Sequence, residues 1–77
     1  ETIVSYDVPK PSDVKIVVMN ILGQEVATLV DEPKAAGKYE IIWRGTDNSG
    51  KRVSSGVYLC VMRAGSFQST VKMSLMK

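Results

Sequence analysis

Apolar residues recur at every second position along most of this chain. Thr2, Val4, Tyr6 and Val8 alternate with Ile3, Ser5 and Asp7, so an extended strand here has one apolar and one mixed face. Pro9 and Pro11 close it, because neither can donate to a ladder. Val14, Ile16 and Val18 alternate with Lys15, Val17 and Met19 in a second strand. Asn20 to Gln24 turns the chain and Val26 to Val30 makes a third strand. Asp31 to Gly37 is a loop by composition, and Tyr39, Ile41 and Trp43 then alternate with Glu40, Ile42 and Arg44 in a fourth strand. Gly45 to Gly50 is turn chemistry throughout, and Arg52-Val53 forms only a stub before Ser54-Ser55-Gly56. Val57 to Ala64 has Tyr58, Cys60 and Met62 on one face and Val57, Leu59 and Val61 on the other, which predicts a central, buried strand. After a Gly65-Ser66 turn, Phe67 to Met76 returns with Val71, Met73 and Leu75 in register. The one helical rival, Gly23 to Asp31, is too short to stand alone. Seven short strands separated by turns predict an all-β antiparallel sandwich.

The length, 77 residues and 8.4 kDa, allows a single domain spanning 1–77. Folding a chain of this size buries ~4,500 Å² of apolar surface, a contribution of ~110 kcal/mol. Ordering the chain at ~1.5 kcal/mol per residue costs about the same. Such a fold is marginal on its own or leans on a neighbour. No apolar run approaches the length of a membrane-spanning helix, and no basic n-region with an apolar h-region opens the sequence. The absence of His and the single Cys60 argue against metal sites, a Cys–His nucleophile pair and an internal disulfide. No cofactor is expected, and nothing argues for an enzyme.

Charge adds an asymmetry. All eight acids lie in the first fifty residues against five bases, a balance of −3; the last 27 residues hold Lys51, Arg52, Arg63, Lys72 and Lys77 and no acid, a balance of +5. The total of +2 is too small to argue for nucleic-acid binding. The basic end suits either an interaction strand or lysines that keep a sheet edge from aggregating.

Several motifs imitate chemistry. Gly45-Thr46-Asp47-Asn48-Ser49-Gly50-Lys51 has the spacing of a phosphate-binding loop, but Arg52 follows where Ser or Thr must hold magnesium, and a strand follows instead of a helix. Asp47, Asn48 and Ser49 lack the spacing and distal Glu of a calcium loop, and an Asx-turn is the simpler reading. Ser49, Ser54 and Ser55 have no histidine base, and Asp31-Glu32 point apart. Trp43, Tyr39 and Tyr58 would form a sugar-stacking platform if exposed, but their period-two neighbours favour core packing. Tyr58-x-Cys60 with Trp43 upstream echoes the packing of immunoglobulin sandwiches, so the expected fold is a seven-stranded antiparallel immunoglobulin-like β-sandwich.

A wider set of spacings carries a resemblance. It comprises Tyr6-x-Val8-Pro9, Val18-Met19-Asn20-x-Leu22-Gly23-Gln24-Glu25-Val26-x-x-Leu29, Ala36-Gly37-x-Tyr39, Trp43-x-Gly45-x-Asp47-x-x-Gly50-x-x-Val53-x-Ser55-Gly56-Val57-Tyr58, and Lys72-Met73-x-Leu75-x-Lys77. Together they resemble the C-terminal sorting domain of the type IX secretion system and the similar Ig-like domain of flagellar hook-capping proteins. The Pro-Asn-Pro-Phe-like run that usually precedes the first strand is missing, and the usual Trp-Asp-Gly reads Trp43-Arg44-Gly45. The resemblance implies a noncatalytic module at the end of a larger exported protein, secreted or held at the cell surface. Its implied partners are the outer-membrane secretion machinery and an upstream cargo domain of the same polypeptide. Gly37 and Tyr39, Gly56 and Tyr58, and Lys72 with Lys77 occupy the family's motif positions. Turn geometry also explains such glycines, core packing explains Tyr58, and edge protection explains the lysines.

Two other readings come from different classes. Residues 1–8, set apart by the Pro9-Lys10-Pro11 hinge, would complete a neighbouring subunit's sandwich, giving a fibre or homopolymer through self-association by strand addition. A carbohydrate-binding accessory domain requires Trp43 or a tyrosine at the surface. The expected partners include neither nucleic acid nor membrane.

Overall fold

The computed structural model describes residues 2–76. Their six strands are β1 (Thr2–Val8), β2 (Ser12–Asn20), β3 (Glu25–Lys34), β4 (Gly37–Trp43), β5 (Gly56–Ala64) and β6 (Phe67–Leu75). They form a two-stranded sheet, β1-β4, and a four-stranded sheet in the order β3-β2-β5-β6, with every pairing antiparallel. The inner faces of both sheets supply one core: Tyr6, Val8 and Trp43 from the small sheet, and Val14, Ile16, Val18, Tyr58, Cys60, Met62, Met73 and Leu75 from the large one. The alternation read along β1, β2, β5 and β6 selects these inner positions.

Three sequence expectations need correction. The seventh strand, at Arg52-Val53, is an isolated bridge between Arg52 and Thr46, held by the Asp47 N–H to Lys51 O and Val53 N–H to Gly45 O bonds on either side of it. Most of the stretch from Asp31 to Gly37 is strand, not loop: β3 continues through Pro33 to Lys34, Gly37 opens β4, and only Ala35-Ala36 connect them. The place of β3 at the sheet edge makes this possible, since a proline there withholds no ladder donor from an outer neighbour. Finally, β5 is central but buried on one face only. Tyr58, Cys60 and Met62 are enclosed, whereas Leu59 and Val61 are half-buried and Val57 is exposed.

The helix-like spacing around Val26 to Val30 also has a cause. Pairing between β2 and β3 shifts register at Ile16/Val17 and at Val18/Met19, leaving Leu29 and Val26 as extra residues on β3. Each bulge resets which side chain faces inward. Ala27 and Val30 are therefore both buried, and Val26 and Leu29 pack beside them.

A two-stranded sheet cannot cover a four-stranded one. The molecule exposes 5,156 Å², more than the ~4,600 Å² typical of its mass. The uncovered part lies along β6, where Val71 and Phe67 share the inner-face parity of Met73 and Leu75 but remain about half exposed.

Cys60 sits in the closed part of the core, free and 3% exposed, and burial pushes its thiol pKa up. A thiol reagent is expected to modify the native domain far more slowly than the denatured one. Equal rates would show that the strand opens readily.

Candidate functional site

The motif positions fall into two structural corners and one edge strand. Gly37 opens β4 with φ +155°, and Tyr39, two residues on, donates its hydroxyl to the Ala35 carbonyl at 2.7 Å. Gly56 opens β5 with φ +152°, and Tyr58, two residues on, donates to the Ser54 carbonyl at 2.6 Å. The same device is built twice: a glycine takes a backbone conformation that side chains disfavour, and the tyrosine ties the incoming chain four residues upstream. Both hydroxyls are satisfied within the chain.

The rings are used as well. Tyr39 stacks on Tyr6 with centroids 5.3 Å apart and an angle of 19°, and the Lys34 ammonium lies 5.1 Å from its ring centre. Tyr58 meets Trp43 edge to face at 5.0 Å and 69°. Trp43 donates its indole N–H to the Thr46 carbonyl at 2.9 Å and is 1% exposed. Sugar stacking would need these rings at the surface. Trp43, Tyr58 and Tyr6 are instead buried, and Tyr39 is half-buried. Gly37 with Tyr39 and Gly56 with Tyr58 lie on different sheets and do not converge on one site.

Lys72 is different in kind. It is exposed, pairs across the ladder with Leu59, and is the one charged residue in β6. Its strand is an outer strand of the large sheet. A cleft of about 250 Å³ lies beside it, lined by Ile3, Val4 and Ser5 of β1 and Val71, Met73 and Ser74 of β6. Lys77 lies outside the described residues.

The loop with phosphate-binding spacing is closed on itself. One Asp47 carboxylate oxygen accepts from Ser49 N–H at 2.9 Å, Ser49 Oγ at 2.7 Å and Lys51 N–H at 3.0 Å. These bonds, the Ser49 hydroxyl foremost, hold its carboxyl below the usual carboxylate range. Asn48 ties the loop to β3, accepting from Thr28 N–H at 2.8 Å and donating its own N–H to Val26 O at 3.1 Å. Amides that would cradle a phosphate here serve Asp47. Among the described residues no group of three or more His, Cys, Asp or Glu is placed to hold a metal.

A depressed folded-state pKa means that Asp47 adds stability above its unfolded value and loses it as pH falls through the folded value. Asp47→Asn is therefore expected to lower the melting temperature at pH 7, with the gap to wild type closing in acid. A constant gap from pH 7 down to strong acid would contradict this.

The β2–β3 turn presents a further exposed feature. Asn20 Oδ1 accepts from the Leu22 and Gln24 amides, each at 3.0 Å, which fixes the β2–β3 turn. That geometry leaves Ile21 73% and Leu22 79% exposed at its tip. Two apolar residues beside a turn glycine were the available signal.

Among the described residues no helix is long and apolar enough to cross a membrane. No curated protein and no solved structure matches the chain. The family model for the FlgD Ig-like domain matches residues 1–68. Two packed antiparallel sheets and tyrosine-tied corners agree with that match, and the chain belongs to the FlgD Ig-like domain family.

Proposed function

We propose that this domain is a noncatalytic C-terminal module that directs a larger protein through the type IX secretion system to the cell surface. One observation carries the reading. The last strand, β6, is an outer strand whose only charged side chain, Lys72, points to solvent, and no acid follows Asp47 in the chain. A strand so placed gives a receptor main-chain groups to pair with and a cation to recognise. The motif glycines and tyrosines then act behind that surface, by holding the sheets that present it. The proposed partners are the outer-membrane machinery and the cargo domain joined upstream.

The fibre reading, in which residues 1–8 complete another subunit, competes with the arrangement within one chain. There β1 pairs with β4 from Thr2↔Trp43 to Val8↔Gly37 and buries Tyr6 and Val8. Exchange between subunits would have to reproduce all of that.

The deciding experiment fuses a reporter upstream of the domain in a bacterium that has the secretion system and follows it by cell fractionation. Surface delivery that depends on the domain supports the reading. Retention of the reporter, with the domain folded, rejects it.

A further inference from the structure

We infer that β6 is also a self-association edge, through which two copies of this chain pair antiparallel into a closed dimer. The inference does not rest on the sorting role. It begins with how differently the sheet edges are built. β3, at the opposite edge of the large sheet, carries Asp31, Glu32 and Pro33 and two register shifts, all features that discourage a further strand. β1 carries Asp7 and runs directly into Pro9 and Pro11, and β4 carries Lys38 and Glu40. β6 has none of these protections beyond Lys72. Its nine residues contain no Pro or Gly, and its pairing with β5 runs from Phe67 to Leu75 without a register shift.

Ladder geometry identifies the groups on offer. The two-residue Gly65-Ser66 turn, with Gly65 at φ +61°, makes Ala64 and Phe67 a hydrogen-bonded pair. Alternation then directs the amides and carbonyls of Phe67, Ser69, Val71, Met73 and Leu75 at β5. Those of Gln68, Thr70, Lys72 and Ser74 face outward along the free edge.

The side chains make a second copy the matching occupant. Pairing β6 with itself over its full length places Val71 on the two-fold axis, opposite Val71 of the second copy. Phe67 then faces Leu75 of that copy, and Ser69 faces Met73. On the outer face Lys72 lies opposite Thr70, and Gln68 opposite Ser74, so no like charges are directly opposed. Gln68, Thr70, Lys72 and Ser74 would each donate and accept one main-chain bond across the axis. Val71 and Phe67, 53% and 48% exposed in the single chain, would gain apolar neighbours. The contact is isologous and uses each β6 edge once, so assembly stops at two.

The test is sedimentation velocity on the 77-residue chain from micromolar to millimolar concentration, with native-state amide exchange on the same samples. The expected species is a dimer of twice 8.4 kDa, with protection of the Gln68, Thr70, Lys72 and Ser74 amides rising with concentration. Thr70→Pro removes one outward donor, and Val71→Lys sets two cations face to face on the axis. Each is expected to abolish the dimer. A chain that stays monomeric throughout, oligomers that grow past two, or a dimer without concentration-dependent protection of those four amides would overturn the inference. Should either variant fail to fold, the wild-type exchange pattern alone decides.

Discussion

Trp43→Ala is expected to unfold most of the population at 25 °C or to leave a domain with a sharply lowered melting point. Trp43 is among the largest fully buried side chains, and it joins the sheets by meeting Tyr58 edge to face. Truncating such a residue in a core costs ~3–5 kcal/mol. The Thr46 carbonyl also loses its indole donor, which removes a tie at the start of the β4–β5 connection. A domain of this size has a total stability of only ~4–12 kcal/mol. The loss is therefore a large fraction of what holds the fold. Urea melts followed by circular dichroism measure it, with Trp43→Phe as a control that restores ring packing without the N–H. A Trp43→Ala melt within ~0.5 kcal/mol of wild type would place the residue in a site that tolerates surface substitutions.

The same residue shows what is legible in the chain. Period-two alternation places Trp43 with Tyr39 and Ile41 on one face, and the three do face the core. It also places Cys60 between Tyr58 and Met62, and those three are buried. Alternation fails where the sheet departs from a regular ladder. The bulges at Val26 and Leu29 give β3 an apolar spacing close to that of a helix, and no single residue marks them. Pro33 and its acidic neighbours read as a loop because the edge position that tolerates them follows from tertiary pairing. Composition likewise gives both faces of β5 as apolar. Whether Leu59 and Val61 are covered depends on a second layer that only the complete topology can supply or withhold.

The candidate site divides in the same way. Gly37-x-Tyr39 and Gly56-x-Tyr58 stand out as spacings, but their acceptors are the Ala35 and Ser54 carbonyls. A backbone acceptor has no side-chain signature, so the shared corner device appears only in three dimensions. Lys72, by contrast, is exposed on an outer strand, and the acid-free basic end of the chain is the sequence signal that points to it.

Export of a fused cargo is expected to fail when Lys72 and Lys77 are both replaced by Glu, while the melting curve of the isolated domain hardly moves. Exposed charges contribute ~0–1 kcal/mol to stability, so recognition and folding separate at Lys72. Removing the last residues demands more care. A deletion of Leu75 to Lys77 should leave the domain largely folded if those residues serve only as a signal, but Leu75 is 5% exposed and belongs to the core cluster. An alanine-like Cβ added at Gly45 would lie only 3.2 Å from a Leu75 methyl, a measure of how closely that side chain fills the space under the loop. Loss of a buried leucine costs ~2–5 kcal/mol, so this deletion is expected to lower stability as well as delivery. Deleting only residues 76 and 77 spares Leu75, and Met76 is 85% exposed. Cell fractionation of the cargo, paired with thermal melts, then separates the outcomes. Lost delivery with an intact melt, in the 76–77 deletion and in the Glu variant, supports a strand read as a signal. Normal delivery from both would sink the sorting role, because the charge on β6 would have been reversed and the residues that follow the strand removed without consequence.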